Sequence, residues 1–234
     1  NNDDYILGPG DEVFVNFISN DIVINNIYII SPSNHIIIPK IGMINISNHT
    51  VTKFIDNINE LCQLKFNNYE LNVSLINIRQ FKIIISGINN IVTSYIVNPV
   101  TRVSDIYNEI KLKYSEIFNQ IGISYRNVVL KRNDEKYKID VLKYNVLNEG
   151  YNPYLLENDV IVFNMIKEVV EIQGEIHSPG IYEFVENETL KQLINIAGNI
   201  TPQADSNNIV LYQYVNDNEK KILIDDFKNT KEIL

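Results

Sequence analysis

The side chains that most often carry chemistry in proteins are scattered through this sequence of 234 residues. The three histidines, His35, His49 and His177, lie far apart, whereas a metal site needs several ligands close together. Hydrolysis of a glycoside needs two carboxyl groups that face one cleft. No feature singles out such a pair, and Asp134-Glu135 is expected to be a solvated hairpin tip. We therefore predict no metal, no cofactor and no enzymatic activity.

A tight turn is predicted near the start of the chain, where two glycines flank a proline. Glycine reaches positive φ and proline fixes φ near about −65°, so Gly8-Pro9-Gly10-Asp11 bends the backbone before a strand. In the simpler interpretation the turn is structural and Asp11 bonds nearby backbone N–H groups. In the alternative, Gly8, Pro9, Gly10 and Asp11 contact a neighbouring subunit or a partner protein, because loops often carry contacts.

A second turn, Pro179-Gly180, is followed closely by Tyr182. The exposed face of a tyrosine suits a pyranose ring, so Pro179, Gly180 and Tyr182 are candidate glycan-facing residues. In the alternative interpretation the turn is structural, and the Tyr182 ring packs on the core with its hydroxyl at the rim. The lone cysteine, Cys62, falls on the apolar face of a predicted helix and is expected to be buried and inert.

Composition and charge restrict the class of protein. Apolar residues make up 45% and charged residues 21% of the chain, which is typical of a globular protein. The formal net charge of −9 argues against binding of nucleic acid, which needs a basic surface to displace counterions. No stretch reaches the ~18 consecutive apolar residues of a spanning helix. Residues 1–4 lack a signal-peptide pattern, so a mature or trimmed segment is expected.

The region up to about residue 80 is predicted to combine strands with one helix. Apolar residues at positions 13, 15 and 17 have the spacing of a strand, Ile36–Ile38 predicts a second strand, and residues 72–78 predict a closing strand. Apolar residues at helical spacing predict a helix from Val51 to Cys62, with Thr50 as its N-cap.

The rest of the chain contains an internal repeat. Gly87 and Tyr95 recur as Gly174 and Tyr182, and the members of each pair are 87 residues apart. Each copy is predicted to contain two strands, a helix and two further strands, and one helix across a small mixed sheet is a β-grasp arrangement. Residues 153–163 add a turn and a last strand to the first copy. The second copy has no such segment, so it is expected to be incomplete and to leave a sheet edge open.

Several motifs, which follow one another along the chain in the order that the family uses, resemble those of the outer-membrane polysaccharide export proteins of capsule and exopolysaccharide systems, the Wza type. Residues 5–13, YILGPGDEV, are similar to the start of the family's polysaccharide export domain. Residues 174–182, GEIHSPGIY, and the helix end at residues 197–205 are similar to signatures of its soluble-ligand-binding β-grasp (SLBB) domains. Residues 153–163 are similar to the closing strand of an SLBB domain.

The resemblance implies an α+β chain with three domains. These are a polysaccharide export domain at about residues 1–80, a first SLBB-like β-grasp repeat at 81–166 and a second, incomplete repeat at 167–234. The implied function is the periplasmic portion of an outer-membrane export channel for capsule or exopolysaccharide. Such channels are homo-oligomeric rings, octamers in the best-known members, and they receive glycan polymer from an inner-membrane polysaccharide co-polymerase. The implied location is the periplasm, in association with the outer membrane.

The resemblance also has departures, and other classes stay open. Asn89 and Asn90 stand where the first repeat should have its Pro-Gly turn. Nothing in the sequence corresponds to the family's lipid-bearing N-terminal cysteine or its C-terminal membrane helix, so attachment to the outer membrane is implied only through other regions. One alternative is a soluble periplasmic glycan-binding β-grasp module. Another is a β-grasp domain of an electron-transfer or cobalamin-related assembly, which does not account for residues 7–11.

Overall fold

A computed structural model describes residues 5–20, 22–88, 91–215 and 218–224 and divides the chain into two compact units. Both units mix helices with sheets, which confirms the predicted α+β class. The first unit contains the residues up to Ile83 together with Ile96–Thr101 and Tyr154–Glu157, and the second unit contains the remainder. The predicted domain boundaries near residues 80 and 166 stay predictions.

The first unit is built on an antiparallel sheet, a separate hairpin and one helix. Its elements are β1 (Glu12–Ser19), β2 (Ile22–Ile29), β3 (His35–Ile38), β4 (Gly42–Asn45), α1 (Val51–Lys65) and β5 (Glu70–Asn77). The sheet has the order β2-β1-β5, and β3 pairs with β4. Val13, Val15 and Phe17 are buried on one face of β1, since successive side chains of a strand point to opposite faces. The three strands predicted in this region are confirmed.

The helix α1 begins where the sequence predicts. The Thr50 hydroxyl accepts a hydrogen bond from the backbone N–H of Lys53 at 3.2 Å, which satisfies one of the unpaired donors at a helix start. One face, from Val51 to Cys62, is buried in the core of the unit. Burial raises the pKa of the Cys62 thiol, which keeps it protonated and unreactive, in agreement with the prediction.

The first β-grasp copy forms one five-stranded mixed sheet. Its elements are β6 (Phe81–Ile88), β7 (Ile91–Val97), α2 (Val103–Lys113), α3 (Ser115–Ile121), β8 (Ile123–Arg132), β9 (Glu135–Ile139), α4 (Val141–Leu147) and β10 (Val160–Met165). The strand order is β7-β6-β10-β8-β9, and the last strand, β10, is parallel to β6 and antiparallel to β8. Tyr107 of α2 packs edge-on against Phe163 of β10, with 5.4 Å between ring centroids. This is the predicted β-grasp arrangement, with the short helices α3 and α4 as unpredicted additions.

The second copy repeats the order of elements but not the single sheet. Its elements are β11 (Val169–Ile172), β12 (Gly180–Glu183), α5 (Leu190–Ile196), β13 (Ile209–Val215) and β14 (Asn218–Ile224). The strands form two separate antiparallel pairs, β11-β12 and β13-β14. Across the part of the second copy that the structure describes, no strand takes the central place that β10 has in the first copy. Asn89 and Asn90, the departure noted in the first copy, lie outside the described residues.

Two glycines show how the copies correspond. Gly87 and Gly174 have the same φ of 95°, which side-chain-bearing residues rarely adopt. A Cβ atom on Gly87 would lie 2.0 Å from the backbone oxygen of Phe163 in β10, whereas no atom of the described chain lies within 4 Å of the same position on Gly174. The shared backbone conformation supports the internal repeat. The surroundings of the two glycines differ because, among the described residues, only the first copy has a central strand, β10.

Candidate functional site

The N-terminal turn is organised by a buried carboxylate. Asp11 is fully buried, and it accepts hydrogen bonds from the Tyr5 hydroxyl at 2.8 and 2.9 Å and from the backbone N–H of Gly8 at 2.8 Å. Arg79 donates its backbone N–H to Oδ1 at 2.8 Å and its Nη1 to Oδ2 at 2.9 Å. We call these four residues the Asp11 cluster. Both oxygens of the carboxylate accept hydrogen bonds, and Arg79 Nη1 also donates to the Tyr5 hydroxyl at 3.0 Å, as expected for a structural turn.

The Asp11 cluster leaves only the tip of the turn accessible. Burial raises the pKa of Tyr5, and its hydrogen bond to Asp11 raises that pKa further, so the hydroxyl stays a donor. A Cβ atom on Gly8 would lie 2.6 Å from Nη1 of Arg79, so a side chain at this position would push the guanidinium from its place beside Asp11. Gly8 and Asp11 are buried, whereas Pro9 and Gly10 are exposed. The role of these candidates as a subunit or partner contact stays a prediction.

The second candidate turn is tied to the core of its own copy. The Tyr182 ring packs against a cluster that contains Ile176, Leu190 and Ile194, and the Tyr182 hydroxyl donates to the backbone oxygen of Ser178 at 2.5 Å. Pro179 is exposed and Gly180 is half-buried. This is the arrangement of a structural turn with a hydroxyl at the rim. A glycan-facing role for Pro179, Gly180 and Tyr182 stays a prediction.

A buried arginine joins the two β-grasp copies within the second unit. The Arg126 side chain is 1% exposed, and its Nη1 and Nη2 atoms each donate to Glu188 at 2.7 Å. Its Nε donates to Asp140 at 2.9 Å, and Nη1 also donates to the backbone oxygen of Glu183 at 2.8 Å. The Ser124 hydroxyl donates to the Glu183 carboxylate at 2.6 and 2.8 Å. We call these five residues the Arg126 cluster.

The electrostatics of the Arg126 cluster favour a charged arginine. Burial lowers the pKa of Arg126, but the hydrogen bonds and charges of Glu188 and Asp140 raise it above its ordinary value. Burial raises the pKa of Glu183, although the hydrogen bond from Ser124 and the nearby Arg126 lower it in part. The cluster thus holds one cation and three carboxylates, of which Glu183 is the one whose ionisation is disfavoured.

Replacing Glu183 with glutamine is expected to change how stability depends on pH. At low pH, a carboxyl whose pKa is raised on folding is neutral in both the folded and the unfolded protein, so it costs no stability. At higher pH it ionises in both, and ionisation then costs more free energy in the folded protein. Wild-type stability should therefore fall relative to Glu183→Gln as the pH rises from about 4 to about 7. Urea unfolding at several pH values measures this difference.

The matched control for this prediction is Glu186→Gln, because Glu186 is an exposed carboxylate in the turn that follows β12. Its difference from wild type should stay flat over the same pH range, since both proteins keep the buried Glu183 carboxyl and its Ser124 partner. A Glu183→Gln curve parallel to that of wild type would contradict the assignment of the raised pKa.

A pocket of about 330 Å³ lies above the Arg126 cluster, between the two copies. Its walls come from β9 and α4 in the first copy and from residues 185–188 and the start of α5 in the second. Tyr151 lines the pocket with its ring half-exposed, so we call it the Tyr151 pocket. Pockets for small molecules begin at about this volume.

The remaining chemistry-bearing side chains are not brought together. In the described part of the chain, no three His, Cys, Asp or Glu side chains are grouped in a way that could hold a metal ion. Asp134 and Glu135 lie at the exposed β8–β9 hairpin, as predicted, where Asn133 and Asp134 take the positive φ of a tight turn.

Sequence reasoning missed both arginines that organise these sites, Arg79 and Arg126. A usable signal was the rarity of arginine, because the chain has only four among its 20 basic residues. The planar guanidinium fork suits buried carboxylates better than a lysine ammonium does. Three of the four arginines do pair with buried carboxylates, and the third such pair joins Arg132 to Asp159 at 2.6 Å.

Comparison with known protein families gives two matches. Residues 1–76 match the family model described as polysaccharide biosynthesis/export protein. Residues 169–225 match the model of the SLBB domain. No curated protein matches the chain. The first match contains the Asp11 turn, and the second contains the Pro179-Gly180 turn with Glu183 and Glu188 of the Arg126 cluster.

Proposed function

Because this chain is a Wza-type polysaccharide export protein, with an export domain followed by an SLBB domain, we propose that it forms part of the periplasmic wall of a ring-shaped conduit for a glycan polymer. The observation that carries the proposal is the order of the two matched domains along the chain, with the β-grasp sheet of the first copy between them in the sequence. The polymer would be a capsule or exopolysaccharide. The ring would be a homo-oligomer of the full-length protein.

The proposed mechanism is geometric and involves no catalysis. Both matched families are export and binding domains. The Asp11 and Arg126 clusters would give the wall stiff local structure, since their buried charges are paired and hydrogen-bonded. The exposed Pro9-Gly10 tip would contact a neighbouring subunit or the inner-membrane polysaccharide co-polymerase.

The proposed location is the periplasm, in association with the outer membrane. The match to a polysaccharide export family supports a location in the cell envelope. None of the helices in the described ranges is long and apolar enough to cross a membrane.

The proposal is tested by deleting the gene and measuring polysaccharide at the cell surface and in the periplasm. We expect surface polysaccharide to be lost and polymer to accumulate in the periplasm, because synthesis continues while the exit is missing. Supplying the wild-type gene in trans should restore both amounts. Surface polysaccharide that is unchanged in the deletion strain would contradict export and favour a soluble glycan-binding module.

A further inference from the structure

We propose that the Tyr151 pocket binds one uncharged pyranose unit of the polysaccharide, an inference that rests on the proposed function. The pocket has a volume of about 330 Å³ and lies where the two β-grasp copies meet. A site in this position would be built by both copies, so neither copy alone would present it. Three features of the lining indicate a sugar: an aromatic face, a mixed polar rim and a balanced charge.

The aromatic face is the ring of Tyr151. It is 51% exposed, and its centroid lies 5.4 Å from that of Tyr137 in a tilted arrangement, which restricts the orientation of the ring. One face of a pyranose presents C–H groups that pack on an aromatic ring. Tyrosine also offers a large contact area while losing little side-chain freedom on binding. The pocket therefore offers a partly oriented surface for a sugar ring.

The polar rim combines donors and an acceptor. Lys138 and Lys143 line the pocket from the first copy, and the Lys143 ammonium also lies 3.4 Å from the Glu149 carboxylate. Glu186 supplies an exposed carboxylate from the second copy. Sugar hydroxyls both donate and accept hydrogen bonds, as serine and threonine hydroxyls do. Cations and a carboxylate around one cavity can therefore bind neighbouring hydroxyls of one sugar.

The charges that line the pocket cancel, although the whole chain carries a net charge of −9. The cations are Arg126, Lys138 and Lys143, and the carboxylates are Asp140, Glu186 and Glu188. Arg126 pairs with both Glu188 and Asp140, so these three side chains form a fixed floor with a net charge of −1, from one cation and two carboxylates. The two lysines and one glutamate of the rim carry a net charge of +1 and offset it. An acidic sugar would gain no net attraction here, which favours an uncharged unit.

The site is tested by saturation-transfer NMR on the 234-residue chain. The probes are neutral hexasaccharides of α-linked glucose, β-linked glucose and N-acetylglucosamine, with oligogalacturonate as the acidic comparison. We expect transfer to at least one neutral probe at millimolar concentration. Tyr151→Ala should weaken binding about tenfold, because it removes the aromatic face. Tyr151→Phe keeps that face and should bind as the wild type does.

The matched control is Tyr114→Ala, since Tyr114 is 40% exposed and lies away from the pocket lining. It should leave binding unchanged, and urea unfolding confirms that each variant is folded. The site is overturned if Tyr151→Ala binds as tightly as wild type, if no neutral probe shows transfer, or if oligogalacturonate binds more tightly. Failure of the proposed function is distinguishable, because it appears as unchanged surface polysaccharide in the deletion strain.

Discussion

Replacing Arg126 with methionine is expected to lower the free energy of unfolding of the second unit by about 3–5 kcal/mol. Methionine keeps much of the length of the side chain but removes its charge. Glu188 and Asp140 would then stay largely buried, at 5% and 19% side-chain exposure, without a cation. The loss is large because an uncompensated buried charge keeps its desolvation penalty and loses its attraction. Urea unfolding, followed by hydrogen exchange in β8 and β9, measures the effect.

Two further variants separate lost charge from lost packing. Lys138→Met removes a cation from an exposed position on the neighbouring strand, and it should change stability by no more than about 0.5 kcal/mol. Adding Glu188→Gln to Arg126→Met should recover part of the loss, because one unpaired charge is then neutral. Equal effects of Arg126→Met and Lys138→Met would refute the assignment of Arg126 as the buried link between the copies.

The local parts of this fold could be predicted from the sequence because local rules decide them. The start of α1 needs only a hydroxyl at Thr50 and apolar residues at helical spacing, and both are visible in the sequence. The end of α5 needs residues that tolerate positive φ, and Gly198 and Asn199 have φ of 84° and 69° there. The repeat could be found because Gly87 and Gly174 keep the same strained backbone conformation.

The candidate sites could not be predicted in the same way because their partners are distant in the sequence. Arg79 meets Asp11 across 68 positions, and Arg126 meets Glu188 across 62 positions. No periodicity or motif records such a pairing, since it depends on how sheets and loops pack in three dimensions. The Tyr151 pocket is a consequence of the same packing. It exists only where β9, α4 and the turn before α5 come together.

The open sheet of the second copy follows from the way in which a β-grasp sheet is assembled. In a β-grasp sheet the last strand in the sequence enters the middle and joins the two outer pairs, as β10 joins β6 to β8. The pairs β11-β12 and β13-β14 therefore stay separate in the described residues, which lack a counterpart of β10.

Replacing Asp11 with alanine is expected to destabilise the first unit by about 3 kcal/mol. The change leaves the Tyr5 hydroxyl and the backbone N–H groups of Gly8 and Arg79 without their acceptor, and it leaves the Arg79 guanidinium without its carboxylate. Unsatisfied buried donors are costly because they give up bonds to water and gain none in return. The midpoint of urea unfolding, with hydrogen exchange in β1 and β5, measures the loss.

The neighbouring residue supplies the control, because Glu12 is a carboxylate at the start of β1 whose partner, the side chain of Asn77, is at the surface. Glu12→Ala should cost no more than about 0.5 kcal/mol. Tyr5→Phe removes a single donor and should cost about 1 kcal/mol, between the other two. If the Asp11 carboxylate organises the turn, the loss of stability must be largest for Asp11→Ala, intermediate for Tyr5→Phe and smallest for Glu12→Ala. If Asp11→Ala were no worse than Glu12→Ala, the Asp11 cluster would not explain the motif.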